Sequence, residues 1–218
     1  MGVYGISRPH APRWRVGPAN LDQRGTRMTF QIDANERAGR GAPELSLAQV
    51  QQRVMRFLRE EAGFAQVVTV NAAGFPVGRT MGAPIADDWS VTLIQRNVHR
   101  RLGQLRRDPR LEIIWVAPPA PHSINDRPHV YDFGLAVPRV VFLRGLAEFL
   151  DPEETIARFR RQTALHLARG QTTAPKRSDE DIRRELVGIH VRPLQVRAEG
   201  FGAGAQSFTW EIGPQAEQ

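Results

Sequence analysis

Three short β-rich segments joined by two tight turns limit the fold of this 218-residue chain more than any other feature. The segments span residues 65–70, 75–85 and 89–94. Asn71-Ala72-Ala73-Gly74 separates the first two segments, and Ala86-Asp87-Asp88 separates the second from the third. Tight turns favour Asn, Asp and Gly, and connections this short join antiparallel neighbours. The sequence therefore predicts an antiparallel meander.

Helices are expected on either side of this meander. Ser46 and Gln49 form a capping-box pattern before apolar residues at helical spacing, which predicts a helix over 47–61. A short basic helix is expected over about 98–107, where Asp108-Pro109 ends it. The other predicted elements are strands over 111–116 and 139–150, helices over 152–168 and 179–186, and strands over 187–198 and 208–212.

Short antiparallel strands with few helices, and no Gly-rich phosphate loop after a strand, disfavour a dinucleotide-binding sheet. The fold class predicted is mainly β (α+β), an antiparallel split β-barrel with flanking helices. Gly145 is expected to mark a bulge or a close approach of two strands. In the helix over 152–168, the residues expected to face inward are Ile156, Phe159, Thr163 and Leu167.

The positive charge of the chain is unevenly distributed. Thirty Lys+Arg against 23 Asp+Glu give +7. Residues 1–27 hold five arginines and one aspartate, which is +4, so the other 191 residues carry only +3. A body of that charge does not predict nucleic-acid binding. Zero cysteines exclude disulfides and thiolate metal sites, and no apolar run reaches bilayer length. A soluble cytoplasmic protein with no membrane partner is expected.

Two segments are expected to stand outside the core of the domain. Residues 1–43 are rich in Arg, Pro and Gly and predict a disordered or extended extension, with Met1 and Met28 as alternative starts. The folded domain is expected over 44–218, with a proline-rich loop inserted over 117–138. His122 and His129 in that loop match no standard ligand spacing, so no metal site is predicted.

The stretch from Arg79 to Pro109 carries the residues that indicate chemistry. A helix that starts near Val98 would bring Arg100 and Arg101 beside its first turn, whose free N–H groups and positive dipole end attract anions. Arg79, on the second strand, would complete a clamp for a phosphate monoester. The alternative is an ordinary solvated basic helix.

These residues also resemble a known family. Gln95-Arg96-Asn97-Val98-His99-Arg100-Arg101 stands after the meander in place of a Thr-Asn-x-x-Ser-Arg-Lys-like loop, and Leu105-Arg106-Arg107-Asp108-Pro109-Arg110 matches Leu-x-x-Asp/Asn-Pro-Arg. This order resembles the pyridoxamine 5′-phosphate oxidase-like, FMN-binding split-barrel proteins. The resemblance covers residues 57–115, more loosely 139–148, and a late strand over 187–196 with a Val-x-Pro-x-x-Val pattern.

The resemblance implies a cofactor site and a reaction. FMN would be bound at the interface of a homodimer, and hydride would pass through flavin N5 to or from an unknown small-molecule substrate. No catalytic side chain is identified. The cofactor-binding residues implied by the match are Arg79, Thr80, Met81, Gln95, Arg96, His99, Arg100 and Arg101.

Departures from the family pattern keep alternatives open. His99 replaces a serine, and Arg101 replaces a phosphate-binding lysine while keeping its charge. The sequence over 200–210 lacks the Arg-x-His-x-Arg run of true pyridoxamine phosphate oxidases, so vitamin B6 oxidation is disfavoured. The alternatives are a deazaflavin-dependent reductase and a non-catalytic flavin- or haem-binding protein. Nucleic-acid binding through 100–110 and the N-terminal arm would require a steep salt dependence.

Overall fold

The structure is a computed structural model, and it describes residues 45–117, 139–170, 173, 176–202 and 207–213. The extension predicted over 1–43 lies outside these residues. The same holds for all of the predicted inserted loop except Ala117, and therefore for His122 and His129.

The first helix begins where the capping box predicts it. Helix α1 spans Leu47–Arg56, and the Ser46 side chain accepts a hydrogen bond from the backbone N–H of Gln49 while the Gln49 side chain accepts one from the Ser46 N–H. Val50 and Val54 are fully buried on its inner face. A π-helical turn, Phe57–Glu61, continues the helix, so the prediction over 47–61 is confirmed.

The remaining elements follow in nearly the predicted order. Their bounds are β1 Ala65–Val70, β2 Pro76–Met81, β3 Val91–Arg96, α2 Arg100–Arg107, β4 Arg110–Val116, β5 Val140–Phe149, α3 Pro152–Ala168, α4 Asp179–Glu185, β6 Leu186–Glu199 and β7 Ser207–Glu211. The second strand ends at Met81 rather than at residue 85, and the third starts at Val91 rather than at 89. Trp89 belongs to the turn between them, with a positive φ of 67°.

The described strands form one seven-stranded sheet in the order β2-β1-β4-β5-β6-β3, with β7 paired to β6, and every pairing is antiparallel. Strand β6 is long enough to pair with β3 through its first half and with β7 through its second half. Strands β2 and β3 therefore stand at the two ends of the sheet order. With the four helices of the described region, this confirms the predicted α+β fold.

The core lies on one face of the sheet, where alternate residues of β1, β3, β4 and β5 are buried. Trp115 and Phe57 are its largest fully buried side chains. The register of β5 against β6 shifts between Arg144 and Gly145, which confirms the predicted bulge. In the described part of the chain, no helix combines the length and apolarity that a bilayer span requires.

One prediction about helix α3 is wrong. Leu167 is 54% exposed rather than inward, and Leu165 is 52% exposed. The buried residues of the helix are Thr155 and Ile156 in its first turns, where Thr155 Oγ1 accepts a hydrogen bond from the Gly188 N–H of β6. Helical spacing alone cannot show that the sheet covers the beginning of α3 and leaves its last turns in solvent.

Candidate functional site

A cleft of about 1000 Å³ opens between the two end strands of the sheet. Strands β2 and β3 and helix α2 contribute most of its lining, and α3 and the segment before α4 add further residues. We call this space the edge cleft. Its lining residues are Asn71, Val77, Arg79, Thr80, Met81, Ile94, Gln95, Arg96, Val98, His99, Arg100, Arg101, Gln104, Phe159, Gln162, Arg177 and Leu186.

The structure brings all the predicted site residues to this one cleft. Three come from β2, two from β3, and three from the start of α2, and together they are Arg79, Thr80, Met81, Gln95, Arg96, His99, Arg100 and Arg101. The two strands are separated along the chain by a turn and are not neighbours in the sheet. Both strands and the start of α2 nevertheless line the edge cleft, so residues from the two ends of the sheet order meet at one site.

Helix α2 presents its first turn to the edge cleft. Its buried residues are Leu102 and Leu105, at 2% and 1% exposure, so these two side chains fix the helix against the core. His99 occupies the N-cap position, and its side chain makes no capping hydrogen bond. The first-turn N–H groups thus have no side-chain cap from His99, and the positive end of the helix dipole lies beside Arg100 and Arg101.

Arg101 is a partly enclosed guanidinium of the site. It is half-buried, its Nε is buried with no hydrogen-bond partner, and its Nη1 lies 3.0 Å from Met81 Sδ. Burial lowers the pKa of Arg101 from its usual value, and the neighbouring charge of Arg79 lowers it further. Two guanidinium groups that disfavour each other's charge would both be stabilised by an anion placed between them.

Acidic side chains are absent from the described lining of the edge cleft, although it contains five arginines. Arg177 is paired with Glu185 at 2.5 Å. Within the described ranges, Arg79, Arg96, Arg100 and Arg101 have no ion-pair partner, whereas most arginines elsewhere do. Arginine carries a charge at any physiological pH, and four guanidinium groups without an ion-pair partner in the described residues are an arrangement that suits an anion.

Gln95 is a second unusual feature of the lining. Its side chain belongs to a residue only 6% exposed, and neither its Nε2 nor its Oε1 has a hydrogen-bond partner in the described structure. A buried amide without partners costs about 1–3 kcal/mol. Such orphaned donor and acceptor atoms are expected where a bound molecule or water completes the hydrogen bonding.

Sequence reasoning did not assign several of the lining residues to the site. Gln104 lies one turn after Arg100 and Arg101, and its Oε1 accepts a hydrogen bond from Thr69 Oγ1 at 2.7 Å. Helical spacing could have placed it in the site. Arg177, Phe159 and Gln162 come from a distant part of the chain, and no local pattern links them to α2. In the described residues, no three His, Asp or Glu side chains are grouped in a way that could hold a metal ion.

Comparisons with known proteins establish the fold and leave the family open. No protein-family model matches the sequence, and no curated protein matches it. Campylobacter jejuni ChuZ aligns with a TM-score of 0.53 and 15% identity, over 77% of this chain and 61% of that one. A haem-binding protein from Mycobacterium smegmatis aligns with a TM-score of 0.52 and 18% identity, over 77% of this chain and 60% of that one.

An F420 reductase aligns with a TM-score of 0.45 and 18% identity, over 65% of this chain and 94% of that one. This chain spans less than two thirds of the length of ChuZ and of the haem-binding protein. The identities to ChuZ and to the haem-binding protein are both below 25%, so these two comparisons establish a split-barrel type of fold and nothing finer.

Proposed function

We propose that this chain binds a flavin-type cofactor by its phosphate in the edge cleft and uses it to oxidise or reduce a small molecule. The observation that carries the proposal is the set of unpaired arginines, Arg79, Arg96, Arg100 and Arg101, in a described lining that contains no acidic residue. Guanidinium groups beside a helix N-terminus are a strong arrangement for a phosphate.

Charge arithmetic favours one member of this cofactor class. The phosphate monoester of FMN carries about −1.5 to −2 at neutral pH, which is enough for two guanidinium groups. Four unpaired arginines line the edge cleft. A deazaflavin coenzyme bears several carboxylates in addition to a singly charged phosphodiester, so its negative groups together could engage all four. We therefore rank the deazaflavin ahead of FMN as the natural ligand.

Each side chain has a definite task in this proposal. Arg79 and Arg101 both bind the phosphate, whose negative charge offsets the burial and the Arg79 repulsion that lower the pKa of Arg101. Arg96 and Arg100 hold further anionic groups near the cleft opening, where both are exposed. The amide of Gln95 offers one donor and one acceptor to the polar edge of the ring system. When bound, the cofactor supplies hydride chemistry, and the protein supplies orientation and charge.

We further propose that a second copy of the chain completes the site. Strand β2 stands at the end of the sheet order, and none of its six residues is buried. Its exposed residues include Arg79 and Thr80, which line the edge cleft. A homodimer that covers β2 would enclose the cofactor. Analytical ultracentrifugation of the full chain tests this, and a monomer that retains full cofactor affinity would refute it.

Haem binding is a second candidate, and one residue of the described site favours it. His99 is exposed at the cleft and makes no capping hydrogen bond, so its imidazole would be available to hold the haem iron, and the nearby arginines would hold the propionates. A protein of similar fold is a haem-binding protein. If haem is the ligand, His99→Ala should abolish the Soret shift on adding haemin to the protein.

The deciding experiment is a titration of the full-length protein with FMN, a deazaflavin coenzyme and haemin, followed by absorbance and fluorescence. Arg79→Gln combined with Arg101→Gln removes two charge-assisted hydrogen bonds, each worth about 1.5–3 kcal/mol, so affinity should fall about 100-fold or more. Arg161→Gln, on the exposed surface of α3, is the matched control and should bind as the wild type does. Failure of the wild type to bind either FMN or the deazaflavin coenzyme would refute the flavin proposal, and failure to bind haemin would refute the haem candidate.

A further inference from the structure

Met81 and Arg101, which both line the edge cleft, are in contact through the thioether sulfur of Met81. Arg101 Nη1 donates to Met81 Sδ at 3.0 Å, and the buried Arg101 Nε has no partner in the described structure. A thioether sulfur is a weak acceptor, so this guanidinium is poorly satisfied. A stronger acceptor placed on the sulfur would be held by Arg101.

Methionine sulfoxide is such an acceptor, because its oxygen is polar and lies one bond beyond the sulfur. Met81 is half-buried and lines the solvent-open cleft, and its neighbours Thr80 and Gly82 are both exposed. A small oxidant can therefore reach the sulfur without unfolding of the chain.

We propose that Met81 is an oxidation site through which hydrogen peroxide lowers the affinity of the edge cleft for anions. The sulfur attacks one peroxide oxygen, the O–O bond breaks, and an S–O bond forms. The sulfur loses two electrons, the peroxide gains them, and the departing oxygen leaves as water. The sulfoxide oxygen then accepts a hydrogen bond from Arg101, which occupies a guanidinium that would otherwise face the bound anion.

This inference rests on the proposed anion-binding function for its consequence, though not for the modification itself. Met55 provides the internal comparison, because it is half-buried on helix α1 and does not line the edge cleft. Peptide mapping by mass spectrometry follows all four methionines of the chain separately after peroxide treatment.

The functional measurement uses FMN and inorganic phosphate as probes, before and after peroxide treatment of the full chain. Loss of one charge-assisted hydrogen bond should weaken binding of both probes about tenfold or more, and treatment with methionine sulfoxide reductases should restore it. Met81→Leu, whatever its own starting affinity, should bind equally before and after peroxide. Met55→Leu should keep the peroxide sensitivity of the wild type.

A ligand-free measurement separates this inference from the proposed function. Oxidation at Met81 should shift the NMR resonance of the Arg101 Nε–H, assigned by its loss in Arg101→Gln. If untreated protein binds neither probe, the resonance still reports the sulfoxide contact, whereas the proposed function fails only if the protein binds neither FMN nor a deazaflavin coenzyme. Oxidation of Met81 without a change in that resonance, no oxidation of Met81 under native conditions, or unchanged affinity after complete oxidation of Met81 would each overturn the inference.

Discussion

Replacement of Gly145 by alanine tests the close approach of β5 and β6 at the bulge. A Cβ at this position would lie 2.6 Å from the carbonyl oxygen of Arg192 and 2.8 Å from Val191 Cγ1. Real Cβ atoms are essentially never found closer than 3.0 Å to another heavy atom. The nearest atom belongs to the backbone of β6, so the clash cannot be relieved by rotation of a flexible side chain.

The expected loss of stability in Gly145→Ala follows from that geometry. Overpacking of a well-packed core costs about 1–3 kcal/mol, and a backbone neighbour places this site at the upper end, about 3 kcal/mol. For a domain of this size each kcal/mol shifts Tm by about 2–4 °C. Gly145→Ala should therefore lower Tm by about 6–12 °C in differential scanning calorimetry.

Gly103 supplies the control for this measurement. It lies inside helix α2, and a Cβ there would meet nothing within 4 Å. Gly103→Ala should stabilise the protein by about 0.5–1 kcal/mol, because alanine restricts the unfolded chain more than glycine does. A Tm for Gly145→Ala equal to that of the wild type, measured beside a stabilised Gly103→Ala, would refute the close-approach explanation.

Two further changes probe other contacts of the fold. Hydrogen bonding from the Arg110 side chain, then from its backbone N–H, lowers the pKa of Asp108 to about 2 from its usual 3.8. This interaction should stabilise the protein above about pH 4, and the stabilisation should be lost as pH falls towards 2. An NMR titration of Asp108 should have its midpoint at about 2, and Arg110→Gln should move that midpoint back towards 3.8. A midpoint that does not change in Arg110→Gln would contradict this role of Arg110. Thr155→Val should destabilise the protein by about 1–3 kcal/mol in urea unfolding, because the buried N–H of Gly188 loses its acceptor, Thr155 Oγ1. A urea midpoint equal to that of the wild type would show that this hydrogen bond does not stabilise the fold.

Local signals in the sequence were sufficient to predict most of the elements. Ser46 and Gln49 form hydrogen bonds with backbone groups of their own helix turn. The turn at Asn71 is closed by the backbone N–H groups of Ala73 and Phe75, which donate to Asn71 Oδ1. Both features therefore depend on nearby residues alone. The prediction that Leu167 faces inward is wrong for the opposite reason. Its burial would require a partner from elsewhere in the chain, and helical spacing does not supply one.

The candidate site likewise combines features that follow from the local sequence with features that depend on distant parts of the chain. The sequence by itself determined which residues carry charge and that α2 would offer its first turn and its arginines on one side. Only the tertiary structure decided that β2 and β3 converge on that helix, that Arg177 joins them, and that no acidic side chain enters the described lining. These facts depend on strand pairing between distant segments, and local propensities do not specify such pairing.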